Sequence, residues 1–64
     1  MTERTAAEQL DLAKSLVKPY SLYDLRYLPK PVRNEKLRAL RAAGIPIRDI
    51  ERYTGIGRGI ISRT

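Results

Sequence analysis

Arginine carries the chemistry available to this chain. From residue 26 onward come Arg26, Lys30, Arg33, Lys36, Arg38, Arg41, Arg48, Arg52, Arg58 and Arg63, set against only Glu35, Asp49 and Glu51. Eight of those ten cations are arginine, whose planar fork of donors fits a phosphate or a guanine edge bidentately. Residues 1–25 are balanced the other way, with Arg4, Lys14 and Lys18 against Glu3, Glu8, Asp11 and Asp24. The formal charge of +6 is therefore a property of the second half alone. Such segregation predicts a polyanionic partner, nucleic acid before any other. Other chemistry is poorly supplied. The chain has no cysteine and no histidine, so it lacks a disulfide framework, cysteine-ligated zinc and the commonest general base. Asp49 and Glu51 are two residues apart on a predicted helix and do not share a face. The expectation is a binding protein, not an enzyme, with no cofactor and no metal.

Sixty-four residues make a single domain. A chain this short has a marginal core, so close helix packing, self-association or a bound partner must add to it. Its apolar runs are a few residues long, far below the roughly 20 needed to span a bilayer. The amino terminus is mixed in charge and has no apolar stretch after it, unlike a signal peptide. The reading is a cytoplasmic, nucleoid-associated protein of bacterial or phage origin.

The elements that must position the arginines can be read in order. Thr5-Ala-Ala-Glu8 has the form of a capping box. Ala6, Leu10, Ala13 and Val17 then mark a helical stripe, widened by Leu12 and Leu16, which predicts a helix over residues 6–17 that ends before Pro19. Tyr20 to Leu28 predicts one or two helical turns. Tyr20, Tyr23 and Tyr27 share a spacing there, which favours a core or interface role over stacking on bases. Pro29-Lys-Pro-Val-Arg33 reads as a stiff basic connector, with Lys30 and Arg33 expected on phosphates. A further helix is expected from Val32 or Asn34 to Ala43, with Asn34 as its cap, Glu35 in its first turn and Leu37 and Leu40 buried. Lys36, Arg38 and Arg41 should face away. Gly44 fits the left-handed position after a helix, and Pro46 the first position of the next.

From Gly44 the pattern is a short amphipathic helix with Ile47, Ile50, Tyr53 and Thr54 inward, a Gly55-Ile56-Gly57 turn, and a last helix from Gly57 or Arg58 with Ile61 inward. Ile60 is expected to be half-buried. Gly57, Arg58, Gly59, Ser62 and Arg63 should face outward. This is the grammar of a helix-turn-helix. Tyr53-Thr-Gly55-Ile56-Gly57 also fits a helix-hairpin-helix, whose backbone N–H groups hold phosphate without reading sequence.

Gly44-x-Pro46-x-x-x-Ile50-x-x-x-x-Gly55-Ile56-Gly57, followed by Ile61 and Arg63, resembles the DNA-binding domain of serine recombinases, in particular Hin-type DNA invertases. It is also similar to the homeodomain-like helix-turn-helix of transposases. The likeness includes Leu37 and Leu40, covers about residues 34–64 and does not reach residues 1–30. It implies that the last helix enters the major groove and that Arg63 contacts a base. The family's serine contact falls on Gly59, which has no side chain. Arg58 is a substitute suggested by this sequence alone. Glu51 stands where such units have alanine or glycine, and must either reach out or widen the angle between the helices. Thr54 and Thr64 stand where apolar residues are usual.

The fold expected is all-α, a small bundle of about four short helices. Residues 1–30 form a scaffold with possible dimerisation helices, and 31–64 form the helix-turn-helix unit. The function expected is sequence-specific binding of double-stranded DNA by a small transcriptional regulator or recombination-associated factor. Arg58, Ser62 and Arg63 are the expected base contacts, and Lys30, Arg33, Arg41, Arg48, Arg52 and Gly57 the phosphate contacts. A homodimer on an inverted repeat would add affinity. The alternatives are a basic module that binds a host or regulatory protein, and a non-specific helix-hairpin-helix.

Overall fold

The structure, a computed structural model, describes residues 4–64. It is all-α. Helix α1 spans Ala6–Leu16, a 3-10 helix Leu22–Tyr27, α2 Lys30–Ala42, α3 Ile47–Thr54 and α4 Arg58–Ser62. The central α2 packs against α1, the 3-10 helix and α3, and α3 packs in turn against the 3-10 helix and α4. One apolar cluster joins Ala13 and Val17 of the first helical stretch, Leu22 and Leu25, Leu37 and Leu40, then Ile45, Ile50, Ile56 and Ile61. The scaffold and the carboxy-terminal unit thus share one core.

The capping box is complete. The Glu8 N–H donates to Thr5 Oγ1 at 3.2 Å, and the Thr5 N–H donates to Glu8 Oε1 at 3.0 Å. The hydrogen bond from the Thr5 backbone, then that with its side chain, hold the Glu8 carboxyl below its ordinary range, with Arg4 assisting. A depressed carboxyl contributes its stability above the unfolded pKa and loses it as pH falls through the folded one. The cap is therefore intact at neutral pH and weakens only in acid. Val17 caps α1, one residue earlier than expected, and Ala6 is exposed rather than part of the buried stripe.

Two expectations are corrected in the middle of the chain. The tyrosines are not core: Tyr23 and Tyr27 are 69% and 73% exposed. A 3-10 helix repeats every three residues, so Leu22, Leu25 and the half-buried Leu28 take the inward line and turn the tyrosines outward. Arg26 lies over the Tyr27 ring, 4.9 Å from its centroid, a cation–π contact. The second correction concerns α2, which starts at Lys30 with Pro29 as its N-cap. All of the supposed connector after Pro29 is helix, and Asn34 and Glu35 lie past the first turn. Proline is tolerated in a first turn because its missing N–H has no intrahelical partner there, and the Pro29 carbonyl accepts from Arg33 N–H at 2.9 Å.

The carboxy-terminal joints follow the glycines. Gly44 has φ +89°. Its N–H reaches the Arg41 carbonyl at 2.9 Å, and Ile45 N–H reaches the Leu40 carbonyl at 3.3 Å. That pair of bonds is a Schellman motif, with buried Ile45 folded back as its hydrophobic contact. Pro46 caps α3 from outside rather than occupying its first position. Gly55, at φ +75°, caps the far end of α3, and its N–H bonds Glu51 C=O at 2.8 Å.

Candidate nucleic-acid interface

The unit α3–turn–α4 is held by groups that sequence reading had marked as departures. Thr54 is fully buried. Its hydroxyl donates to the Ile50 carbonyl at 2.7 Å and accepts the Ile56 N–H at 3.1 Å. A threonine where an apolar residue is usual thus fastens the turn that drives Ile56 into the core. Glu51 reaches out to the start of α4. Its Oε2 accepts the Arg58 N–H at 3.2 Å, and its Oε1 stands 4.0 Å from the Arg58 guanidinium. It therefore caps the first turn of α4 from the preceding helix, a favourable place for a negative charge. At the other end, the Ile61 carbonyl accepts from Arg41 Nη1 at 3.2 Å and from Thr64 Oγ1 at 2.7 Å. Gln9 ties α1 to α3 by donating to Asp49 Oδ2 at 2.9 Å and to the Tyr53 hydroxyl at 3.1 Å.

Helix α4 is five residues, with Gly57 as its N-cap and Arg63 as its C-cap. Ile61 is buried, while Gly57, Arg58, Gly59, Ser62 and Arg63 are exposed as expected; Ile60 is 38% exposed, close to the half-buried place expected. The expected site residues fall into separate groups. Arg58 and Ser62 lie one turn apart on the outer face of α4, with Gly59 beside them; the Ser62 hydroxyl donates to the Gly59 carbonyl at 3.2 Å. Arg63 instead shares a groove with Lys30 and Arg33. Arg41 spends one nitrogen on the end of α4. Arg48 and Arg52 are exposed one turn apart on α3, and Arg52 borders a different groove with Lys14. Among the described residues no acceptor faces the Gly57 N–H.

Sequence reading did not anticipate three contributors. Asn34 lines the Lys30–Arg33–Arg63 groove instead of capping a helix. Arg26 reaches the α3–α4 turn: a Cβ on residue 55 would lie 3.1 Å from its Nη1. Glu51, out of place by residue type, is the cap of α4. No sequence signal exists for the first two, because each depends on segments far apart in the chain.

Gly59 gives a test of the surface. Its φ is not positive, and an added Cβ would meet nothing within 4 Å. Gly59→Ala is expected to raise stability by about 0.4–1 kcal/mol in urea titration, by restricting the unfolded chain. The same methyl group would stand on the outer face of α4 and weaken binding of any ligand seated closely there.

Comparison with protein-family models, curated proteins and solved structures returns no match to this chain. No described helix is long and apolar enough to cross a membrane.

Proposed function

We propose that this chain binds duplex DNA sequence-specifically, with α4 presented to the major groove and α3 lying across it. The observation that carries the reading is the exposed Arg58–Gly59–Ser62 face on a helix whose turn, core residue and cap are all built by its own unit. The charge balance supports it, since the net positive charge belongs to α2 through α4. Arg58 and Ser62 meet base edges. Lys30, Arg33, Arg41, Arg48, Arg52 and the Gly57 N–H meet phosphates. Arg63, at the far end of α4, stands between the two roles. So short a reading helix needs a second half-site, and a homodimer on an inverted repeat supplies one. The protein then acts as a regulator or as an accessory factor in recombination.

The helix-hairpin-helix reading is weaker. It needs unoccupied N–H groups in the Gly55–Gly57 hairpin, yet Gly55 and Ile56 already donate within the fold. A protein-interaction module is favoured by one observation: a largely apolar groove of about 380 Å³ lined by Leu10, Leu22, Tyr23 and Tyr53, with Lys14 and Arg52 at its edge.

In vitro selection of bound duplexes decides among these readings. A single enriched motif, with affinity that falls steeply with salt, supports sequence-specific binding, and its symmetry reports the dimer. Equal binding of all duplexes points to a non-specific hairpin. No binding at low salt, with a stable complex on a protein partner, points to the module. Arg58→Ala is expected to weaken the selected site by about 1 kcal/mol, roughly fivefold, and to relax preference at one base pair. The loss is at the low end because Arg58 must first leave Glu51.

A further inference from the structure

Among the described residues two grooves have cationic edges and no acidic side chain in their lining, and one of them gathers three cations from two helices that are distant in sequence. Lys30 and Arg33 from the first turns of α2, with Arg63 from the end of α4, line a groove of about 270 Å³ together with Asn34, Ile60 and Thr64. Arg63 lies 30 positions from Arg33 and 33 from Lys30, so their meeting is a product of the tertiary fold. Among the described residues no acidic side chain lines the groove. Like charges gathered on one groove repel one another, and among the described residues none of the three is in an ion pair.

From this we infer that the groove is a seat for a nucleic-acid backbone phosphodiester, and that Arg63 is a phosphate ligand rather than a base reader. The inference rests on the DNA-binding reading and deepens it. Arg33 is half-buried, and its Nε donates to Asn34 Oδ1 at 3.0 Å. That bond leaves the terminal nitrogens of the guanidinium and the Asn34 amide N–H groups as donors for oxyanions. The first turn of α2 has no acidic residue and no side-chain cap, so its outer N–H groups add positive potential without competition. Ile60 supplies an apolar wall suited to a deoxyribose. Helix geometry separates the two roles. At 3.6 residues per turn, Arg58 and Arg63 lie about 140° apart around α4. A strand whose bases meet Arg58 and Ser62 runs its backbone past the flank of α4 toward Arg63, Lys30 and Arg33.

The test measures duplex affinity against salt for the full chain and for Arg33→Gln, Arg63→Gln and the control Arg38→Gln, an exposed α2 residue outside the groove. Circular dichroism checks that each variant is folded. The expected result is that Arg33→Gln and Arg63→Gln each reduce the slope of log K against log salt by about 0.9, with base preference unchanged and the Arg38→Gln slope unaltered. If Arg63→Gln relaxes preference at one base pair, or leaves the slope as it was, the assignment is overturned. If the wild-type chain binds no duplex, the DNA reading fails, and the groove is judged by an amide NMR titration with inorganic pyrophosphate. Shifts confined to Lys30, Val32, Arg33, Asn34 and Arg63, and lost in the Arg33→Gln/Arg63→Gln double variant, sustain an oxyanion seat. Shifts spread over all exposed arginines, or none, overturn it.

Discussion

Leu40→Ala is expected to leave most of the chain unfolded at 25 °C. Leu40 is fully buried in α2, which packs against α1, the 3-10 helix and α3. Its carbonyl also closes the Schellman turn through Ile45 N–H, so the side chain lies just where the chain reverses from α2 toward α3. Removing a buried leucine side chain costs about 2–5 kcal/mol, the lost transfer energy plus the cavity left behind. A domain below about 70–80 residues rarely holds more than 3–5 kcal/mol in total. The two quantities overlap, so a change that a larger protein would survive consumes most of the margin. Thermal melting by far-ultraviolet circular dichroism checks it. A cooperative melt within a few degrees of wild type would show that another part of the molecule carries the stability. Added duplex should partly restore the fold, because a ligand that binds only the native state stabilises it by mass action.

Thr54→Val is expected to cost about 1–3 kcal/mol although the substitution nearly preserves volume and shape. The Ile56 N–H has the Thr54 hydroxyl as its acceptor inside the core. Valine leaves that donor buried and unpaired, and an orphaned buried donor carries its full desolvation penalty. Ile56 itself is 4% exposed, so water cannot take the place of the hydroxyl without moving the turn. The Ile50 carbonyl keeps its helical partner and suffers less. Urea titration reads the loss. Thr54→Ser, which retains the hydroxyl, should lose less, and a loss for Ser with none for Val would mean that the methyl group and not the hydrogen bond matters. The larger consequence is for α4, since a turn that relaxes outward changes the angle at which Arg58 and Ser62 are presented. Duplex affinity should therefore fall by more than the change in stability alone predicts at concentrations where the variant is folded.

Local chemistry was enough for the ends and joints. Thr5 and Glu8 announce a capping box by type and spacing, and it forms. Gly44 and Gly55 are required because the backbone there is left-handed, where a Cβ is strained. Leu37 and Leu40 stand at helical spacing, Ile50, Ile56 and Ile61 at the inward places of a helix, turn and helix, and all reach the core. The tyrosines were misread because their spacing suits an α-helix as well as Leu22 and Leu25 do. Only packing against α2 and α3 selects the 3-10 geometry, which turns the leucines in and the rings out. The start of α2 was misread because two prolines look like a connector until the helix is seen to begin at them.

What the sequence by itself determined is the all-α class, the order of its helices, the glycine joints and the segregation of positive charge, because each depends on side-chain type and on neighbours within a few residues. The tertiary structure alone decided the partners of the chemically active groups. Glu51 caps α4, Arg41 closes its far end, and Arg63 turns away from Arg58 to meet Lys30 and Arg33. Hydrogen bonds and charge clusters act over a few ångströms, and residues separated by 7 to 33 positions come within that range only when the helices have packed.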